Sequence, residues 1–364
     1  MTSYRHVKRH LVSCKMSRIS EWFWTESVWL PANVSWSDVT NAPGKSVVYS
    51  ELNDFLYVLP FGAMIFFVRY LLERYCFIPL GRLLNIPEKN VRKLLHNDIL
   101  ETAFLASPKK ANFSKLSKKV DMTERQVERW WRLRSNSNKP SQLVKFCESI
   151  WKFVFYIFVT LYGLYVLWDK EWFWNFDNCF NGYPHQGVTD DIRRYYMFQT
   201  ANCWYLLIFQ FRAVKRKDSW QMYVHHFAAI SLLSISWTNS MYRIGTLVLV
   251  LHDCGDIALE AGKALKYAKY QNACNCTFVV FITVWIGTRI IFYPNYVIAI
   301  SSEYAKTATM YYVLKAMLWM LFGLHLIWTW YILQIAYKAV RAGEVEGDVR
   351  SSDSEEIEIS NHSD

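Results

Sequence analysis

The chain has 364 residues, a formal net charge of +10 and 52% hydrophobic residues, with apolar blocks alternating with very basic ones, which excludes an acidic disordered chain. Aromatic residues make up 17%, with 17 Trp and 23 Tyr, and such amphipathic rings collect at membrane interfaces. The eight Cys form no CxxC pair and show no regular spacing, which argues against a disulfide framework, while the basic excess leaves nucleic acid, anionic lipid or a polyanionic substrate as partners.

Residues 1–52 are polar apart from the aromatic patch Glu21–Leu30, which is followed by Pro31 and suits a membrane surface. Asn33-Val34-Ser35 is a glycosylation sequon, usable only outside the cytosol. No basic flank, short apolar run and cleavage site occur together near the start, so the first span is expected to act as its own insertion signal.

About 20 apolar residues cross a bilayer. Candidate spans are Phe55–Leu72 (closed by Arg74), Ile150–Trp168, Tyr196–Phe211, Trp220–Trp237, Ile244–Leu265, Phe278–Ile300 and Tyr311–Val340. The expected fold is therefore an all-α polytopic membrane protein with about seven transmembrane helices, the last projecting beyond the bilayer. The fourth and fifth spans are the weakest by hydropathy because they carry ionisable groups. Lys and Arg concentrate between spans one and two, at Arg212–Lys217, at Lys263–Lys269 and after span seven, all on one side for a count of seven. The positive-inside bias puts that side and the C-terminus in the cytosol and the N-terminus outside. Asn33 is then glycosylatable, and the sequons at Asn112 and Asn275 are not used. The tail Ser351–Asp364 is acidic, Ser-rich and too poor in apolar residues to fold. Ser352 and Ser354 there read as acidophilic-kinase targets, the plainer alternative being an unmodified solubilising tail.

Between the first two spans, residues 76–140 are expected to form two or three short helices. Asp121–Arg134 resembles the last turn and helix of a homeodomain, with its Gln-Val, aromatic pair and basic residues. The position at which that family reads adenine with Asn is Leu133 here, and an apolar side chain cannot make the pairing. Specific DNA binding is not expected; a helical support or a contact with anionic lipid headgroups is.

The fourth and fifth spans hold His225 and His226, then His252, Asp253 and Asp256. Charged groups at bilayer depth are costly and usually face a protein interior or a watery cavity. On a helix Asp253 and Asp256 share a face, as do His252 and Asp256, whereas His225 and His226 diverge by about 100°. Counted from Asp218, His225 lies about 10 Å into the membrane. Hydrogen-bonded packing residues are one explanation. A metal site is a second: di-iron oxygenases need more histidines than these and His325, but one zinc held by two His and an Asp is geometrically conceivable. The third, which the pattern suits best, is acid–base or nucleophilic catalysis by imidazole oriented by a carboxylate. Arg289 in span six is a candidate partner for a carboxylate or an oxyanion, or simply a structural ion pair.

The segment KRKDxWxMxVHH…LSxSW…RxGTLVLVLHDxxDIxLExxKxxKY resembles the signature of the ceramide synthases, the acyltransferase branch of the TLC-domain membrane proteins. Trp29–Trp36, the homeodomain-like block and Thr288-Arg289 extend the likeness over nearly the whole chain. The resemblance implies a six-helix TLC core plus one N-terminal span, with a small helical cytosolic homeobox-like insert. It divides the chain into a lumenal segment 1–52, a first span 53–75, the insert 76–140, the catalytic membrane domain 141–341 and an acidic tail 342–364. It implies N-acylation of a sphingoid base by a fatty acyl-CoA in the endoplasmic reticulum membrane, with His225, His226, Asp253 and Asp256 at the centre and His252 and Arg289 beside them. Acyl-CoA is then a co-substrate, no bound cofactor or metal is expected, and Lys215, Arg216 and Lys217 sit where the CoA phosphates would arrive. Homo- or hetero-oligomers with related synthases are implied as well, as is an influence of Ile300–Met310 on acyl length. The competing reading is a non-catalytic lipid-binding or transport protein of the same membrane fold.

Overall fold

The structure is a computed structural model that describes residues 23–43, 47–88, 97–107, 112–137, 140–211, 218–299, 309–343 and 345. Lys215, Arg216, Lys217, Ser352 and Ser354 lie outside the described residues, as does most of the segment Ile300–Met310. Among the described residues all regular structure is helical.

Seven long helices follow the apolar runs: α1 Leu52–Leu83, then, after the short helices of the insert (α2 to α4, below), α5 Gln142–Leu167, α6 Asp190–Gln210, α7 Ser219–Thr238, α8 Tyr242–Tyr267, α9 Gln271–Ile298 and α10 Thr309–Ala342. The chain is an all-α membrane protein: α1, α5, α9 and α10 are long and apolar enough to cross a bilayer. The 21 residues of α6, 20 of α7 and 26 of α8 also suffice in length, and what they lack is apolarity. For α6 this departs from expectation, and the cause is a run of polar side chains (Gln199, Thr200 and Asn202) buried inside the protein rather than turned to lipid. The first helix also runs past Arg74 to Leu83, through a widened turn at Glu73–Phe77. Arg74 itself is exposed and donates to the Tyr70 hydroxyl at 3.2 Å, so its charge stays outside the packed interior and does not end the helix.

Helices α5, α8, α9, α10, α7 and α6 pack in that order as a ring, closed by α6 against α5, while α1 lies outside against α6. Gly163 is where α5 meets its neighbours most closely: a Cβ there would run into the Tyr195 hydroxyl and Val250. Small residues at such contacts let helices approach in a medium that offers no hydrophobic drive between them. The last 13 residues of α9, Ile286–Ile298, are π-helical and contain Pro294; such widened turns often mark functional positions, and Arg289 lies in this stretch.

At the end of the ring where α7 turns into α8, the N-terminal segment forms a cap. Ser50 Oγ donates to the Trp237 carbonyl at 2.7 Å, and the fully buried Trp237 indole donates to the Glu51 carbonyl and to Asp54, each at 3.2 Å. Asp54 is also paired with Arg193 at 3.3 Å, and Trp29 and Leu30 share a small core with Met310 of α10. Asn33 is exposed on this cap at a positive φ of 66°, a conformation that Asn adopts more readily than most residues.

On the same face, Lys170 lies 3.0 Å from both Asp169 and Asp191. Burial pushes the Asp191 carboxyl up, but hydrogen bonds from Thr189, Lys170 and the Ile192 N–H outweigh it and hold the group below the usual carboxylate range. A carboxylate depressed in the folded state stabilises fully above its unfolded pKa, and that contribution is lost as pH falls through the folded value. The wild type is therefore expected to lose thermal stability more steeply on acidification than Asp191→Asn does. Parallel slopes in a thermal-shift series would refute this.

The insert is a separate small unit of three helices, α2 Asp98–Ala106, α3 Phe113–Val120 and α4 Glu124–Ser137. Asn97 and Asn112 cap the first two by accepting backbone N–H groups at 3.1 Å. Leu100, Phe104, Val127, Trp130 and Trp131 form its core, and Arg134 grips Glu101 with two nitrogens at 2.6–2.9 Å. The aromatic pair that gave the homeodomain likeness is thus a packing device, while Arg125, Arg129 and Arg132 are exposed.

Candidate functional site

His225 and His226 occur two turns into α7, and His252, Asp253 and Asp256 near the middle of α8. Counted from the turn that joins the two helices, His225 and Asp256 both lie roughly 20 Å along at 1.5 Å per residue, so they are level. His226 and Asp253 are buried, and His225, His252 and Asp256 are half-buried.

Two cavities converge on these residues. One, of about 200 Å³, is lined mainly by apolar side chains such as Leu232, Leu233, Ile244, Val248, Leu314 and Leu318, and reaches Met241 and Phe180 beneath the cap. The other, of about 440 Å³, opens among Arg69, Lys145, Glu148, Lys152, Asp218, Glu260 and Lys263 toward the side that carries the basic segments. Both are bordered by His225, His226, His252 and Asp256, together with Tyr156, Leu206 and Met222. One end of the site is therefore oily and the other charged, with imidazoles and a carboxylate where they meet.

The hydrogen bonds assign different tasks to the five residues. Asp253 accepts a close hydrogen bond from the Gln199 amide of α6. Asp256 pairs with Arg289 at 3.3 Å, and the same guanidinium donates to the His252 carbonyl at 2.8 Å while stacking over Trp285 with its carbon 4.5 Å from the ring centre. Arg289 is 3% exposed, so its charge depends on these partners. Gly255 makes room for it, since a Cβ there would collide with the guanidinium. His252 Nδ1 meets the Val248 carbonyl at 2.7 Å, and its Nε2 lies 3.2 Å from Nε2 of His325 on α10. The His225 ring stands edge-on to Trp328 with centroids 5.3 Å apart, and its Nδ1 is buried without a partner.

The sequence pattern points to a carboxylate, Asp253 or Asp256, that orients a catalytic imidazole. Among the described residues neither carboxylate is hydrogen-bonded to His225 or His226, because Gln199 and Arg289 occupy them first. Arg289 is a carboxylate partner, as one of its readings had it. Three residues were missed. Gln199 and Tyr156 leave no trace in a hydropathy pattern, whereas His325, a fully buried ionisable group in an apolar span, was visible and was counted only against a metal cluster. Among the described residues no group of three His, Cys, Asp or Glu side chains is arranged to hold a metal ion.

Residues 145–334 match the family described as the TLC domain. The chain is 39% identical to human ceramide synthase 5 over 354 residues, which cover 94% of this chain and 90% of that protein. It is 36% identical to human ceramide synthase 3 over 340 residues, covering 92% and 88%. To ceramide synthase hyl-1 of Caenorhabditis elegans it is 34% identical over 351 residues, covering 91% and 83%.

Proposed function

The chain belongs to the ceramide synthase family of TLC-domain membrane proteins, and from that premise we propose that it transfers a fatty acyl group from acyl-CoA to the amine of a sphingoid base. The observation that carries the reading is the meeting of an apolar and a charged cavity at His225, His226, His252 and Asp256. A fatty tail suits the first and polar headgroups the second. The reactive thioester or amine then lies beside the imidazoles.

Transfer of an acyl group to an amine needs a nucleophile or base, a neutral amine and a position for both. His225 is the acceptor in this proposal, because it borders both cavities and keeps a nitrogen free of protein partners. Its ring nitrogen attacks the thioester carbon, the carbon–sulfur bond breaks, and the thiolate leaves with the imidazole's proton as CoA thiol. The amine then adds to the acyl carbon, the carbon–imidazole bond breaks, and the amine's proton returns the imidazole to its neutral form. Asp253 and Asp256 act one step away, by fixing α6 and α9 against α8 through Gln199 and Arg289.

The location proposed is the endoplasmic reticulum membrane, with the capped end of the ring lumenal, the insert and tail cytosolic, and Asn33 glycosylated. The test is incubation of the full chain in membranes with acyl-CoA, with and without sphinganine, followed by mass spectrometry of lipids and protein. Dihydroceramide in the first case and an acyl mass on the α7 peptide in the second are expected. Absence of both would favour the lipid-binding or transport alternative.

A further inference from the structure

His325 is fully buried, yet its side chain borders the charged cavity, and no role has been given to it so far. Its tautomer follows from its neighbours. A backbone carbonyl only accepts, so His252 Nδ1, 2.7 Å from the Val248 oxygen, carries the hydrogen. In neutral His252 the Nε2 is then a bare lone pair, and the Nε2 of His325 at 3.2 Å must be the donor to it. Neutral His325 has no second hydrogen, so its Nδ1 is a lone pair, and that atom is buried with no partner. The Thr329 hydroxyl, one turn on, is spent on the His325 carbonyl and on the Trp285 indole, and does not reach the ring. A buried acceptor left without a donor is costly, and in a native structure it calls for a reason.

We infer that His325 is the proton acceptor for the attacking amine, with His252 as the residue that orients it. The inference rests on the acyl-transfer reading above and deepens it. As the amine lone pair forms the C–N bond, one N–H proton moves to His325 Nδ1. The imidazolium so formed keeps its Nε2–H bond to His252, and through it the dipole of the His252 N–H and the Val248 carbonyl. When the carbon–imidazole bond at His225 breaks, the same proton is delivered to the departing nitrogen, so His325 ends as it began. The titratable and charged groups around His325 are His252 on α8, His225 on α7 and Arg289 on α9, with the Tyr293 ring 5.0 Å away.

The experiment uses the full chain in membranes. His325→Gln still offers an N–H to His252 but has no nitrogen that accepts a proton. Its kcat is expected to fall by about 10²-fold or more while KM for acyl-CoA stays within about threefold, and the residual rate should climb with pH as free amine replaces the missing base. The acyl mass on the protein in the absence of amine should persist. A wild-type rate and pH profile in His325→Gln would overturn the inference. So would a loss that follows the melting temperature in both His325→Gln and His325→Asn with an unchanged pH profile, since that describes packing alone. Failure of the wild type itself to make amide would sink the functional reading instead, so the two failures are distinct.

Discussion

Replacing His225 by Ala is expected to lower amide formation by about four orders of magnitude or more, the scale on which removing a nucleophile acts. The ring stands against the edge of Trp328 at the junction of the two cavities, with a nitrogen that no protein donor or acceptor claims. Alanine leaves helix α7 intact, because the residue is half-buried and its helical neighbours do the packing. Folding should thus be close to normal while the acyl mass on the protein disappears. His226→Ala should cost less, about 10- to 100-fold, through lost positioning, since its ring borders both cavities beside His225. The measurement is initial-rate acyl transfer at saturating acyl-CoA, normalised to folded protein. Wild-type turnover in His225→Ala would remove the basis of the mechanism.

The second large effect is expected at Arg289. Removing one partner of an enclosed ion pair leaves the other charge uncompensated, at about 3–5 kcal/mol. Asp256 keeps 26% of its side chain exposed, so a cost of about 2–3 kcal/mol is expected for Arg289→Met. Activity should fall with it, since the same guanidinium holds the backbone of His252. The double variant Arg289→Met with Asp256→Leu should regain most of the stability, because neither charge is then stranded, and should regain none of the activity. Thermal unfolding in detergent measures the first, and acyl transfer the second. Additive stability losses in the double variant would show that the two residues do not act as a pair.

Most of the helical plan could be read from apolar runs of about 20 residues, and the lone ionisable groups in them named the site. Boundaries were less legible. Arg74 looked like the end of the first span, but the helix runs on to Leu83 with that guanidinium exposed beside the Tyr70 hydroxyl. Helix α6 was expected to be a plain span, and its Gln199 turned out to hold Asp253. That pairing joins residues 54 positions apart on different helices, which a periodicity argument cannot see. The partners of the two aspartates were misjudged for the same reason: spacing on one helix says which side chains share a face, not what comes to meet that face. In the insert, the Trp130–Trp131 pair was informative in both ways, as a mark of likeness and as the core of three helices.

The two cavities differ in polarity, and that difference reaches the reaction itself. Attraction between charges weakens with the dielectric around them, so a charged adduct at the junction feels a strong field from the greasy side and a damped one from the wet side. Catalysis at such a frontier favours intermediates that keep their developing charge turned toward the ions and their hydrocarbon turned away. On the proposed reading, a base that filled the wet chamber with its own headgroup would displace from the charged side the water that could otherwise hydrolyse the activated acid.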